Sequence, residues 1–141
     1  MKKRVASALL AVVVVMCSCS PAHAAVVQPR ASAYLSRYIA TLSEGTASGQ
    51  LDIAFSVTAS GVMTKVGVSR IDIYRANGSF VTSISGSTAN GLLTSSSMHH
   101  SGTYTYNGIS GISYYAKVTV YAGNATGSDS RTITTFTVKA P

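Results

Sequence analysis

The chain has 141 residues, with eleven Lys and Arg against four Asp and Glu, two cysteines and no tryptophan. Beyond position 4 the basic residues are scattered singly from Arg30 to Lys139, which excludes a nucleic-acid footprint. Both cysteines lie before position 20, so the rest of the chain has no disulfide, no thiolate metal site and no cysteine nucleophile.

Lys2, Lys3 and Arg4 precede an apolar run from Ala8 to Met16, and Ala22-His23-Ala24 follows. A charged start, a short apolar run and a small-x-small site predict a secretory signal peptide over residues 1–24, cut after Ala24. The run is too short to span a bilayer, which takes about 20 apolar residues. Cys19 follows a small residue, Ser18, so the alternative is a lipid anchor at Cys19. Met16 stands where such a signal usually carries a branched aliphatic.

Removing the signal leaves residues 25–141, with eight basic and four acidic residues and a net charge of +4. Ser and Thr supply 34 of those residues. Hydroxyls then do the solvating, and threonine suits a pleated strand. No further long apolar stretch follows, so no membrane span is expected and release into the medium is the expected destination. Residues 25–32 read as a leader and 33–141 as a single β domain.

Ala33 to Ser43 alternates, without a sharp division of its faces, and reads as an edge strand. Glu44 to Gly49 is a turn. Leu51, Ile53, Phe55 and Val57 alternate with polar or small residues, the pattern of a strand with one buried face. Ala59 to Thr64 reads as a connection around Gly61. Val68 to Arg75 and Ser79 to Ile84 read as a hairpin closed by Asn77-Gly78 in a type I′ turn. That register opposes Arg75 to Phe80, Ile73 to Thr82 and Ile71 to Ile84. It sends Ile71, Ile73, Phe80 and Ile84 inward.

Ser85 to Gly91 is a loop, and Leu92 to Met98 a short weak strand. His99-His100-Ser101-Gly102 reads as a turn before a strand over Thr103 to Tyr106. Turn residues fill Asn107 to Gly111. Tyr114, Ala116, Val118 and Val120 share the inner face of a strand running to Tyr121. Ala122 to Asp129 reads as a loop, and Arg131 to Val138 as the last strand, with Ile133 inward. About seven strands and no helical period predict an antiparallel immunoglobulin-like or fibronectin type III-like sandwich. In those domains a tyrosine heading such a strand bonds the preceding turn through its hydroxyl, and Tyr114 is expected to do so.

Four segments resemble a group of small secreted proteins of Gram-positive bacteria. They are Arg30-Ala-Ser-Ala-Tyr-Leu-Ser-Arg-Tyr, His100-Ser-Gly-Thr-Tyr-Thr-Tyr-Asn-Gly, Tyr114-Tyr-Ala-Lys-Val-Thr-Val-Tyr-Ala-Gly and Gly127-Ser-Asp-Ser-Arg-Thr. That group is catalogued as a domain of unknown function. The resemblance implies the sandwich fold and carries over no catalytic residue.

The residues that could carry chemistry are few. His99 and His100 are adjacent, so in a strand they point to opposite faces and cannot grip one ion. They read as solvated or turn-capping side chains. Of the carboxylates, Asp52 and Asp72 fall on outward faces and Glu44 and Asp129 in loops. The Asn124 to Asp129 segment offers calcium only one carboxylate. No cofactor or metal is called for, and no catalytic set is assigned. Tyr34, Tyr38, Tyr74, Tyr106, Tyr115 and Tyr121 are expected to be partly exposed. Tyr34, Tyr38, Tyr74, Tyr115 and Tyr121 are the expected surface-contact residues, and Tyr114, Asn77 and Gly78 the structural ones.

The leading functional expectation is a non-catalytic extracellular binding or adhesion module. Its expected partners are a cell-wall or host-surface glycan or protein. Behind it come a secreted antimicrobial or toxin-like effector, and then a small hydrolase using His99 or His100.

Overall fold

The computed structural model describes residues 32–141. The expected signal peptide over residues 1–24, with Cys17 and Cys19, lies outside the described residues. The domain is all-β: β1 (Leu35–Glu44), β2 (Gln50–Arg75), β3 (Phe80–Ser85), β4 (Leu93–Asn107), β5 (Ser113–Asn124), β6 (Gly127–Thr134) and β7 (Val138–Lys139). No helix among the described residues is long and apolar enough to cross a membrane.

Every pairing is antiparallel, within one curled sheet. β2 is its spine. Its first half lies between β1 and β4, and its second half lies between β5 and, on the other edge, β4 and then β3. The expected connection at Ala59 to Thr64 is therefore absent: β2 runs through it unbroken for 26 residues. The ladder slips between Thr58 and Met63, and Gly67 takes a φ of 139° that other residues avoid. The strand thus bends without leaving the sheet.

The expected turn at His99 to Gly102 is likewise strand, in the middle of β4. Its residues pair in order with Thr58, Val57, Ser56 and Phe55. Gly102 lets the Phe55 ring lie close against the strand, where a Cβ would come within 3.1 Å of it. The expected loop at Ala122 to Asp129 shrinks to a turn at Ala125 and Thr126, with Asn124 Oδ1 accepting from the Thr126 N–H and hydroxyl. The expected last strand is split. β6 ends at Thr134, and Thr135 turns inward, its hydroxyl accepting from the Ala116 N–H at 2.9 Å.

The core joins Leu51, Ile53, Phe55 and Val57 of β2 to Val66, Val68, Ile71 and Ile73 farther along it. Tyr114, Ala116, Val118 and Val120 of β5 complete it. A slip between Val68 and Arg70 keeps both apolar pairs of the second half on the inner face. β1 shows the same device. A slip between Leu35 and Arg37 lets Leu35 and Ala40 both reach the core while Ile39 stays outside.

Before β1, the Ser32 hydroxyl donates to Asp129 on β6, and the Tyr34 N–H donates to the same oxygen at 3.0 Å. These bonds, the Ser32 hydroxyl first, hold the Asp129 carboxyl below its ordinary range. A lowered folded-state pKa stabilises above the unfolded value of about 3.9 and is lost as pH falls through the lower folded value. Wild-type melting temperature is therefore expected to fall more steeply with acid, below about pH 4, than that of Asp129→Asn. Parallel melts from neutral pH downward check it, and identical slopes would remove the clasp.

Candidate functional site

The β2–β3 hairpin decides which aromatic residues reach the surface. Arg75 N–H donates to Ser79 C=O and Gly78 N–H to Arg75 C=O, each at 2.9 Å, so the loop has three residues. Only Gly78 has positive φ, at 87°, so the loop is a type I turn closed by a left-handed glycine rather than type I′. Asn77 Oδ1 accepts from Ser79 N–H at 2.9 Å and holds the loop. The extra residue changes the parity. Tyr74, not Arg75, faces Phe80, and the ladder slips before Ile73 meets Thr82 and Ile71 meets Ile84. Phe80 therefore points outward, 56% exposed, where the two-residue turn sends it in.

Across the outer face this produces an aromatic row. Tyr74 is paired with Phe80 on one side and Tyr115 on the other. Tyr74 and Tyr115 stack at 5.2 Å and 9°, and Phe80 meets Tyr74 edge-on at 5.6 Å. Lys117 Nζ lies 5.0 Å from the Tyr74 ring centre, a cation on the aromatic face. The gap between β6 and β7 falls opposite Tyr115 and Ala116. Phe136 stands in that gap, 92% exposed.

The next row is polar. Asp72 lies between Ser83 and Lys117. Arg70 Nε donates to Asp72 Oδ1 at 2.7 Å and to Ser83 Oγ at 3.1 Å. Asp72 is thereby covered, although it sits on the outward face. Beyond it, the Thr119 and Thr132 hydroxyls meet at 3.0 Å. Tyr121 lies at the far end of the same strand, in a shallow open cleft of about 260 Å³ with Thr64, Lys65 and Asn124.

The five expected contact tyrosines thus do not form one group. Tyr74 and Tyr115 come together, and Tyr121 stands apart. Tyr34 and Tyr38 pack against the core from β1 and its approach, with the Tyr34 hydroxyl 3.3 Å from Thr126 Oγ1. Tyr106 turns to the inner face and meets Tyr114 edge-on at 5.8 Å. Burial, then Tyr114, pushes its hydroxyl above the ordinary value, and Arg75 opposes. Phe80, Lys117 and Phe136 also belong to the surface, and of these Phe80 escapes a reading by alternation.

Tyr114 is buried, and its hydroxyl accepts from Ile109 N–H in the preceding turn at 3.0 Å. Gly108 lets the turn lie on the ring, since a Cβ there would come 3.0 Å from it. Tyr114→Phe removes one hydrogen bond and is expected to cost about 1 kcal/mol. Chemical denaturation reads it, and an unchanged midpoint would contradict the role.

His99 Nδ1 lies 3.1 Å from Thr58 Oγ1, and His100 Nε2 lies 2.7 Å from Gly91 O. The His100 ring also leans on Phe55, with centres 5.4 Å apart. Asp52 accepts from the Thr105 hydroxyl at 2.8 Å.

Comparison with protein-family models, curated proteins and solved structures returns no match.

Proposed function

We propose that the chain is exported and that its β domain is a non-catalytic extracellular binding module. Its contact surface is the row Phe80–Tyr74–Tyr115, flanked by Lys117 and Phe136. The observation that carries this reading is an exposed phenylalanine, Phe80, edge-on to a stacked tyrosine pair, with a second, Phe136, exposed in the gap opposite Tyr115. Cross-strand pairing accounts for the tyrosines. It does not account for a phenylalanine left 92% in water. Exposed aromatics beside Arg and Lys have the composition of a recognition surface. Tyrosine hydroxyls, the Arg70–Asp72 pair and the threonines add directional hydrogen bonds around the apolar row.

Under this reading residues 1–24 direct export, and the partner is a cell-wall or host-surface glycan or protein. The fold is an immunoglobulin-like or fibronectin type III-like sandwich, supported by Tyr114 and its bond to the preceding turn. The chain joins the small secreted proteins of Gram-positive bacteria that its segments resemble. No catalytic role is given to His99 or His100, each of which has one ring nitrogen engaged, with Thr58 and Gly91 respectively.

Two experiments test the reading. Mass spectrometry of the exported chain is expected to find a start at Ala25, and a lipid on Cys19 contradicts the free form. The immobilised protein is expected to retain cell-wall polymer, an arrayed glycan or a host surface protein. Silence against all three sinks the reading.

A further inference from the structure

We infer that β4 is the interface of a two-fold homodimer, formed by pairing its free edge with the same edge of a second copy. Among the described residues β4 pairs only with β2, along one edge. Over its 15 residues the strand holds no charged residue and no proline. On the other edge the Leu93 N–H donates to Ser87 C=O and the His99 peptide groups bond Ser97 Oγ, which leaves Ser101 to Asn107 as the open run. Sheet proteins normally guard long edges with such residues. The other open edges here are guarded: β1 carries Arg37 and Glu44, β6 carries Asp129 and Arg131, and β3 is only 6 residues long.

The backbone of β4 gives the register. His99 N–H donates to Ser97 Oγ at 3.1 Å, and the same hydroxyl donates to His99 C=O at 2.7 Å. The His99 peptide groups therefore face away from β2. Alternation points those of Ser101, Thr103 and Thr105 the same way. A two-fold axis at Thr103 opposes Thr103 to its own copy and Ser101 to Thr105 of the second copy. Hydroxyl pairs of this kind favour pairing, and no like charges meet. On the inner face the same register lays Tyr104 across Gly102 of the second copy, an aromatic covering an edge glycine. Neither Tyr104 nor Tyr106 is fully covered within one chain.

The described residues that precede β1 are not the occupant. Ser32 is fastened to Asp129 on β6, and β6 lies beyond β5 on the opposite side of β2 from β4.

Sedimentation of the purified chain under reducing conditions, which break any Cys17 or Cys19 cross-link, tests this. The wild type is expected to sediment as a dimer. Thr103→Lys and Thr103→Glu each set two like-charged side chains opposite one another at the axis, on Cα atoms about 5.5 Å apart. Each is expected to weaken association at least about tenfold, and an equimolar mixture of the two to restore the dimer. Hydrogen exchange on the wild type gives a second reading, since the Thr103 and Thr105 amides gain protection as concentration rises. A wild type monomeric at high concentration overturns the inference. So does a Thr103→Lys protein as dimeric as the wild type, or exchange at these amides that ignores concentration.

Discussion

Gly67→Ala is expected to destabilise the domain by about 3 kcal/mol or more. Two penalties combine. The φ of 139° is one that L side chains rarely adopt, and the added Cβ would sit 2.2 Å from Leu92 O and 3.1 Å from Leu93 Cα. The His100 ring, 2.9 Å away, can turn aside, but the Leu92 carbonyl cannot. It accepts from Val68 N–H at 2.7 Å, and the Leu92 side chain is buried. Relief would have to separate β4 from β2 at the bend. Gly61 in the same strand is the comparison. It has ordinary φ and nothing within 4 Å of a Cβ, so Gly61→Ala is expected to change stability by less than about 1 kcal/mol. Urea unfolding of both variants checks the contrast, and equal midpoints would refute the account of the bend.

The second large effect is on binding. Replacing Tyr74 and Tyr115 together by alanine is expected to weaken the partner at least about 30-fold, the scale of a central aromatic hot spot. The fold should survive it. A stacked pair contributes about 0.5–1.5 kcal/mol beyond its burial, and neither ring belongs to the buried core. Phe136→Ala should weaken binding by a smaller factor, from the margin of the row. Ile39→Ala removes an exposed apolar side chain from β1 and should leave affinity unchanged. Isothermal titration of all four proteins separates the outcomes. If Ile39→Ala costs as much as the tyrosine pair, the contact surface lies elsewhere.

Some of this was readable in the sequence because one physical rule governed it. Leu51, Ile53, Phe55 and Val57 alternate and are all buried, as are Tyr114, Ala116, Val118 and Val120. No bulge interrupts either run. Where one occurs, parity changes and alternation misleads. Leu35 and Ala40 share the core although they lie an odd number of residues apart, because β1 slips between them.

Glycines misled in the same way. Gly61 and Gly102 look like breaks in a string of residues. In the sheet, Gly61 lies within a continuous strand and Gly102 makes room for Phe55. Whether a glycine ends a strand or accommodates a neighbour depends on the partner across the ladder, which local sequence does not contain.

The aromatic row was half legible. Tyr74 and Tyr115 fall on outward positions by alternation. Phe80 does not, because Asn77-Gly78 is compatible with either loop length and a single residue decides its face. Phe136 was hidden inside an expected strand that is broken at Thr135, whose hydroxyl bonds the neighbouring strand.

The central claim is that the domain recognises its partner through the row on β3, β2 and β5. NMR titration of the labelled protein with solubilised cell-wall and host-surface glycan fragments, and with the retained surface protein, tests it most directly. The largest shifts are expected at Tyr74, Phe80, Tyr115 and Lys117, with Phe136 following. Shifts centred on His99 and His100, or on Tyr34 and Tyr38 with the row silent, would contradict it.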